Sequence, residues 1–286
     1  MDDGKKVSLI FSFYLTDDFD TNIANKMHFC CLKKYNSYFF ESLFVILIDD
    51  PTNYELISRF EKTIIDCGFV NNVKFEVIKN HAYREAYVFK TYIIDRLHDY
   101  NNLVCFAHNK GVTNVIDPTK DVNSILTWIF TLYFGIFNYF DEAIQRMIQE
   151  NSISLFFGSC LSNKHYVDDK FDTGFAPIYN GTIYLLSPGE IIDYTNMRGI
   201  KISPLSNRWY AEHFPATILR HDDFSIMYRA ASHDLRSFSY YLVDKIYEGE
   251  NGGWSTYVEY LFKEDIDQYY KELNELLDKV YKDNND

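Results

Sequence analysis

The first 111 residues alternate short apolar runs with longer amphipathic segments, and this alternation restricts the chain to few folds. Unbroken apolar runs between polar flanks are typical of buried strands, and apolar residues three and four apart indicate helices. Strands that alternate with helices form right-handed βαβ units, so we expect an α/β protein with a mainly parallel sheet. The predicted elements of this part are Val7–Phe13, a helical region around Thr21–Glu41, Leu43–Ile48, Tyr54–Cys67, Val73–Ile78, Arg84–Tyr100 and Leu103–Ala107.

The alternation loosens after Gly111. The predicted elements there are a helix over about Asn123–Glu150, a strand at Ser154–Gly158, a loop at Leu161–Ala176, a strand at Ile178–Leu186, a helix that begins at Pro188, a strand at Ser225–Arg229 and a charged amphipathic helix at about Tyr257–Asp283. No repeat and no low-complexity linker divides the chain. The prediction is therefore one domain over residues 1–230 and a helical C-terminal appendage over residues 231–286.

Composition and charge disfavour several classes of function. The formal net charge of −13 opposes nucleic-acid binding, because phosphate backbones are bound by clustered Lys and Arg. The five cysteines form no CxxC pair, and the N-terminal segment is polar and unlike a secretion signal. Both observations predict reduced thiols and a cytoplasmic protein. The apolar segment Ser124–Phe140 is short for a membrane span, so a buried core helix is expected. A weak membrane-surface contact and the oligomeric state stay open.

A His, a Lys and a Gly follow the last predicted strand of the first part directly. Ligands of open α/β sheets bind just beyond the carboxyl ends of such strands, which is where His108, Lys110 and Gly111 stand in the sequence. Lysine is a common phosphate ligand, and glycine allows backbone conformations that other residues avoid. The segment suits a phosphorylated ligand. Because short motifs also occur for structural reasons, both interpretations stay open at this point.

Two charged pairs stand at the boundaries of other predicted elements. Asp49 and Asp50 follow the second strand, where carboxylates can hold the base or ribose of a nucleotide, or form a turn before Pro51. Arg84 and Glu85 begin a helix, where they can bind a phosphate and a sugar hydroxyl. An acid in the first helical turn is also expected from the helix dipole alone. Taken in isolation, both pairs favour the structural interpretation.

A triplet in the later part, Asn180-Gly181-Thr182, lies in a strand pattern. Glycine in a strand often marks the close approach of a ligand or of another backbone. Near the end of the predicted domain, Arg208 and Glu212 are four residues apart and would share one helix face. A salt bridge explains this pair. The alternative is that Glu212 is a general base and that Trp209 or Tyr210 is a stacking surface for a sugar.

Several well-known motifs do not occur in the sequence. They are GxGxxG after the first strand, GxxxxGK[ST], GxSxG and HExxH. Their absence disfavours dinucleotide enzymes, P-loop NTPases, α/β-hydrolases and zincins.

Taken in order, the segments above resemble those of glycosyltransferases with the GT-A fold, in particular a bacterial and viral group that carries His-x-Lys-Gly after the fourth strand. The resemblance spans roughly Val7 to Leu219. Its segments are the strand that ends at Asp49-Asp50, the helix that opens with Arg84-Glu85, LVCFAHNKGV, the Trp128 helix, YNGTIYLL and NRWYAEHF. It implies a Rossmann-like GT-A domain over residues 1–230, with a nucleotide-binding half at 1–112 and an acceptor-binding half at 113–230.

The resemblance also implies an activity, namely the transfer of a sugar from a nucleotide-diphosphate sugar, preferably a UDP-sugar, to a glycan or related acceptor. In an inverting enzyme Glu212 would be the general base, while Lys110 and His108 would stabilise the departing diphosphate. In a retaining enzyme Glu212 would position substrate, and the sequence does not choose between the two. The implied donor-binding residues are Ser12, Phe13, Tyr14, Asp49, Asp50, Arg84, Glu85 and Lys110. The implied acceptor-binding residues are Asn180, Gly181, Thr182, Arg208 and Trp209.

The sequence departs from the GT-A pattern at one position. Most GT-A enzymes place Asp-x-Asp after the fourth strand to hold a divalent metal, and this chain has His108-Asn109-Lys110 there. Positive charge from Lys110 and His108 can replace a metal, whereas Asp168-Asp169 and Asp222-Asp223 can recruit Mn²⁺ or Mg²⁺, so metal dependence stays open. Two other functions also stay open: a non-catalytic nucleotide- or glycan-binding module on a degenerate transferase fold, and a metal-dependent nucleotidyltransferase.

Overall fold

The computed structural model describes nearly all of the first 109 residues, two helical regions of the later part and a C-terminal helix. The described residues are 7–69, 72–109, 111, 112, 115, 121–144, 147, 156, 157, 161, 162, 178, 179, 183–202, 204, 205, 210–219, 262 and 264–282.

Strands and helices alternate along the first part of the chain. The strands are β1 (Val7–Tyr14), β2 (Phe39–Ile48), β3 (Val73–Lys79), β4 (Val104–His108), β5 (Phe156–Phe157), β6 (Leu161–Ser162), β7 (Ile178–Tyr179) and β8 (Tyr184–Leu186). The α-helices are α1 (Ile23–Tyr35), α2 (Tyr54–Asp66), α3 (Arg84–Tyr92), α4 (Val122–Phe137), α5 (Phe140–Ile144), α6 (Pro188–Arg198), α7 (Tyr210–Leu219) and α8 (Ile266–Lys282). Short 3₁₀ helices at Asn36–Tyr38 and Ile94–Asp99 follow α1 and α3.

The main sheet of the described residues has six strands in the order β3-β2-β1-β4-β8-β5. β1 pairs in parallel with β2 and β4, and β2 pairs in parallel with β3. β8 is antiparallel to both β4 and β5. The prediction of an α/β fold with a mainly parallel sheet is confirmed. Because β1 to β4 run in the same direction, their last residues lie at one edge of the sheet, which we call the carboxyl edge.

Side chains of the strands alternate between two apolar cores, one on each face of the sheet. Phe11 and Phe13 of β1 belong to the core formed with α1, α2, α4 and α8, on the face that we call the α1 face. Ile10 of β1 belongs to the core formed with α3, α6 and α7, on the α3 face. Since alternate residues of a strand share a face, Ser12 and Tyr14 lie on the α3 face.

The apolar segment Ser124–Phe140 forms most of α4, and it is buried in the core of the α1 face. The hydroxyl of Tyr269 in α8 lies 2.8 Å from Thr131 Oγ1 of α4, and Lys34 of α1 forms a 3.3 Å salt bridge with Glu272 of α8. The prediction of a core helix is confirmed, and the predicted C-terminal helix packs against α1 and α4. Within the described ranges, no helix is long and apolar enough to cross a membrane.

Several predicted helix boundaries are wrong. The helical region predicted around Thr21–Glu41 overruns β2, where Phe39 already pairs with Val7, because aromatic residues also fit a pleated strand. The helix predicted over Arg84–Tyr100 ends at Tyr92, and a 3₁₀ helix follows at Ile94–Asp99, within which Arg96 leaves the helical conformation with φ −124°. The helix predicted to extend to Glu150 ends at Phe137, followed by the shorter α5.

Some predicted strands are also wrong. Ile178–Leu186 is predicted as one strand, but β7 pairs with β6 in a separate two-stranded sheet, while β8 joins the main sheet. β4 begins and ends one residue later than predicted and includes His108. The strand predicted at Ser225–Arg229 lies outside the described residues.

Candidate functional site

Polar side chains from three neighbouring strands meet at the carboxyl edge. Asp49 directly follows β2, and its two carboxylate oxygens are held from opposite sides. Oδ2 accepts a hydrogen bond from the Tyr14 hydroxyl of β1 at 3.2 Å, and Oδ1 accepts one from Nδ2 of Asn80, which follows β3, at 2.8 Å. Asn80 is itself placed by its backbone N–H, which donates to the Ile48 carbonyl at 2.8 Å. Asp49 remains exposed, so a ligand can reach its free lone pairs.

Tyr14 is a neutral hydrogen-bond donor in this group. Its partial burial raises the pKa of the phenol, and the negative charge of Asp49 and the hydrogen bond to it raise the pKa further. The positive charge of Arg84 acts in the opposite direction. The phenol therefore stays protonated at neutral pH and continues to donate to Asp49.

Arg84 adds a cation to the same edge. Its guanidinium carbon lies 5.3 Å from the centre of the Tyr14 ring, and the side chain is exposed. Its backbone has φ +43°, in the left-handed region that residues other than glycine adopt at a cost of roughly 1–3 kcal/mol. Such strained residues occur often at binding sites. Tyr14, Asp49, Asn80 and Arg84 together are called the β2-end cluster below.

Three aromatic rings lie beside Arg84 and were missed in the sequence. The ring of His81 stacks on that of Tyr87 with centroids 4.3 Å apart, and it lies 5.3 Å from the ring of Tyr83. Arg84 donates its backbone N–H to the His81 carbonyl at 2.9 Å, so one turn places His81, Tyr83 and the cation. His81 and Tyr83 stand between β3 and α3, where the sequence offers no recognised motif, and Tyr87 lies in α3.

The two aspartates after β2 have different environments. Oδ1 of Asp50 accepts hydrogen bonds from the hydroxyl of Thr52 at 2.6 Å and from its backbone N–H at 3.0 Å. These bonds lower the pKa of Asp50. Asp50 therefore has the turn-forming contacts that were the alternative interpretation of the pair, while Asp49 belongs to the β2-end cluster.

The three consecutive residues predicted to line the donor site lie in three environments. Phe13 is fully buried on the α1 face, with its ring centroid 4.4 Å from that of Phe60, so its side chain is part of the core. Ser12 is 1% exposed on the α3 face, and its Oγ has no hydrogen-bond partner among the residues described. Of this triplet, Tyr14 belongs to the β2-end cluster.

The turn after β4 lies next to this cluster. His108 is the last residue of β4, is buried and pairs in register with Ser12. Gly111 has φ +85°, as expected for a glycine in a tight turn. Lys110, the residue predicted to bind phosphate, stands between Asn109 and Gly111 in the chain and lies outside the described residues.

Asn109 is a functional candidate that the sequence did not single out. It is buried, and its side-chain amide forms hydrogen bonds with the backbone of Tyr14 and with Asn25 of α1. No local signal identifies it, because its partners are distant in the sequence. Asn80 could have been found, because it follows β3 as Asp49 follows β2.

Glu212 lies in the first turn of α7 and is 6% exposed. Its helix packs on the α3 face, where Phe214 contacts Phe89 of α3 and the Tyr184 hydroxyl donates to the Ala211 carbonyl at 2.8 Å. The carboxylate is therefore on the same side of the sheet as Ser12 and His108. Glu85, in the first turn of α3, is half-buried.

The remaining predicted site residues cannot be placed. Outside the described residues lie Asn180, Gly181, Thr182, Arg208, Trp209 and the aspartates at 168, 169, 222 and 223. Within the described part of the chain, no group of three or more His, Cys, Asp or Glu side chains could hold a metal ion.

Comparisons with protein-family models, with curated proteins and with solved structures found no match. The function is therefore argued from the residues of this site.

Proposed function

We propose that the protein is a GT-A-like glycosyltransferase that takes a sugar from a nucleotide-diphosphate sugar, with a UDP-sugar preferred, and transfers it to a glycan or related acceptor. The observation that carries this proposal is the β2-end cluster at the carboxyl edge, directly beside the turn after β4. Ligands of parallel sheets bind at this edge. Asp49 offers hydrogen-bond acceptors for a nucleoside, and the sequence of the turn offers positive charge for phosphates.

The nucleoside is assigned to the β2-end cluster. Asp49 is oriented from both sides by Tyr14 and Asn80, so it meets a ligand without having to be ordered first. A carboxylate oxygen accepts more than one hydrogen bond, so Asp49 can also accept from a base N–H or a ribose hydroxyl. The Tyr14 ring and the guanidinium of Arg84 give a flat surface beside it.

The diphosphate is assigned to the turn after β4. In the transfer step, the acceptor oxygen loses its proton to Glu212 and attacks the anomeric carbon of the sugar, while the bond from that carbon to the diphosphate breaks. The negative charge that develops on the diphosphate would be stabilised by Lys110 and His108. This single displacement applies to an inverting enzyme; in a retaining enzyme Glu212 would position a substrate.

The first experiment measures nucleotide binding by thermal shift of the whole chain, with UDP, GDP, CMP and their common sugar derivatives, each in Mn²⁺ and in EDTA. A ligand at about 100 times its dissociation constant stabilises the fold by about 2.7 kcal/mol, which raises the melting temperature by roughly 5 °C. A rise in melting temperature with one nucleotide class supports the proposal and identifies the nucleotide of the donor. A shift that persists in EDTA supports a donor site that needs no metal.

Lys110→Ala is expected to weaken binding of the nucleoside diphosphate at least tenfold and to leave the melting temperature of the unliganded protein unchanged. The matched control is Lys62→Ala, which removes the same charge from an exposed position on α2 and should leave binding unchanged. Release of nucleoside diphosphate from the sugar donor then tests turnover. Binding without turnover would favour the non-catalytic nucleotide-binding module, and a panel without any shift would contradict the transferase and favour a module that binds glycan alone.

A further inference from the structure

The side-chain amide of Asn109 bridges β1 and the turn after β4. Its Oδ1 accepts the backbone N–H of Tyr14 at 2.9 Å, and its Nδ2 donates to the backbone carbonyl of the same residue at 3.0 Å. The backbone N–H of Asn109 also donates to the Ser12 carbonyl at 3.3 Å. The side chain thus extends the ladder between β1 and β4 by one step, although the chain itself turns away there.

The amide is fully satisfied, and it is supported by α1. The Nδ2 of Asn109 donates a second hydrogen bond to Oδ1 of Asn25 at 3.2 Å. Nδ2 of Asn25 in turn donates to the Phe19 carbonyl at 3.1 Å. Asn25 is completely buried. A buried network in which each amide has a partner holds its members in one arrangement.

The far side of the turn is held separately. Asn22, the N-cap of α1, donates its Nδ2 to the Val112 carbonyl at 3.2 Å. A side chain on Gly111 would collide with Ile125 of α4, so the turn lies directly against that helix. Asn109 and Val112 are therefore each held by a side chain of α1, and Gly111 between them in the chain lies against α4.

The end of β1 does not depend on Asn109 in the same way. Tyr14 pairs with Leu47 of β2, and the N–H of Leu15 donates to the Leu47 carbonyl at 2.8 Å. Loss of the Asn109 amide would therefore free the end of the turn next to β4, while the bond of Leu15 keeps the end of β1 attached to β2 beside Tyr14.

We propose that Asn109 is a positioning residue, which fixes the distance between the nucleoside contacts of the β2-end cluster and the phosphate contacts of the turn after β4. This inference rests on the proposed function. It assigns a role to the position that the His-x-Lys-Gly segment leaves open. Asn109 itself touches no reacting atom; it acts through the turn that carries Lys110 in the sequence.

The test uses calorimetry to measure the affinities of the whole chain for UMP, UDP, GMP and GDP. The readout is the gain in affinity that the second phosphate gives. It is expressed as the dissociation constant of the monophosphate divided by that of the diphosphate of the same nucleoside. We expect Asn109→Ala to reduce this ratio about tenfold while changing the affinity for the monophosphate less than threefold. If Asn109 had a purely structural role, its loss would weaken the binding of the monophosphate and of the diphosphate equally.

A double-mutant cycle with Lys110→Ala makes the test specific. Because Asn109 is proposed to act through Lys110, the double variant should show no smaller ratio than Lys110→Ala alone. The matched control is Asn36→Ala, which removes a 2.8 Å amide-to-carbonyl bond to Cys67 near the start of β2, away from the carboxyl edge, and should leave the ratio unchanged. If Asn109→Ala does not fold, Asn25→Ala removes only the support and should lower the ratio in the same direction.

The outcomes separate the two proposals. A wild-type chain that binds none of these nucleotides overturns the proposed function and this inference together. A wild-type chain that binds them, with an unchanged ratio in the folded variant or an additive effect with Lys110→Ala, overturns this inference alone.

Discussion

Gly111 combines a left-handed backbone with a lack of space, and replacing it with alanine should lower the free energy of unfolding by about 2–4 kcal/mol. The backbone has φ +85°, and holding a residue other than glycine in that region costs roughly 1 kcal/mol. The new Cβ would lie 2.8 Å from Ile125 Cγ2 and 3.3 Å from Ile129 Cδ1, both in the core. Forcing an atom into a packed core typically costs roughly 1–3 kcal/mol more.

Two other glycines separate these contributions. Gly199 has φ +62°, and no atom lies within 4 Å of the point that a Cβ would occupy, so Gly199→Ala should cost about 1 kcal/mol for the backbone alone. Gly189, in the first turn of α6, has a negative φ and open space around it, so Gly189→Ala should be neutral or stabilise by up to about 1 kcal/mol.

The assay is urea unfolding, monitored by tryptophan fluorescence and circular dichroism. The dependence of the free energy of unfolding on urea concentration is compared among the variants to confirm a common unfolding transition. The expected order of stability is Gly189→Ala, wild type, Gly199→Ala and Gly111→Ala. Equal losses in Gly111→Ala and Gly199→Ala would refute the argument that the turn after β4 lies tightly against α4.

Three further predictions concern the site and the buried thiols. Glu212→Gln should abolish sugar transfer and change nucleotide affinity less than about twofold; full transfer activity in a kinetic assay would exclude Glu212 as the base. Tyr14→Phe, which removes the hydrogen bond to Asp49, should weaken UMP and UDP equally, by about three- to tenfold in calorimetry, and an effect on UDP alone would contradict the assignment of the nucleoside. Burial raises the pKa of the Cys67 thiol from 9.0 to about 12, so its contribution to stability should be complete below pH 9 and be lost as the pH rises toward 12. In urea unfolding across this pH range, the free energy of unfolding should fall less steeply with pH for Cys67→Ala than for the wild type. Equal slopes in the two proteins would contradict this prediction.

The strands of the parallel sheet could be predicted from the sequence because β1, β2 and β4 are largely apolar runs and β3 alternates apolar with charged residues. The pairing of the later strands could not. Ile178–Leu186 alternates like a single strand, and alternation does not indicate which neighbour a segment pairs with, so the division into β7 and β8 was missed. Aromatic residues such as Phe39 fit both a helix and a strand, and for that reason the start of β2 was misplaced.

The candidate site could be predicted only where a residue follows a strand directly. Asp49 was found in this way, although the sequence could not distinguish it from Asp50, since the difference lies in Tyr14 and Asn80, which are distant in the chain. Asn109 was missed for the same reason, because its hydrogen bonds connect β4 to β1 and α1. Tertiary contacts of this kind leave no local pattern.

The packing of α8 has a consequence for the synthesis of the protein. α8 buries Tyr269, Leu273 and Leu276 against helices from much earlier in the chain. Translation proceeds at roughly 5–20 residues per second, so the apolar surface of α4, which ends at Phe137, waits on the order of ten seconds for α8, which begins at Ile266, to emerge from the ribosome. During that interval the nascent chain presents an uncovered aromatic surface, which is the kind of surface that chaperones bind.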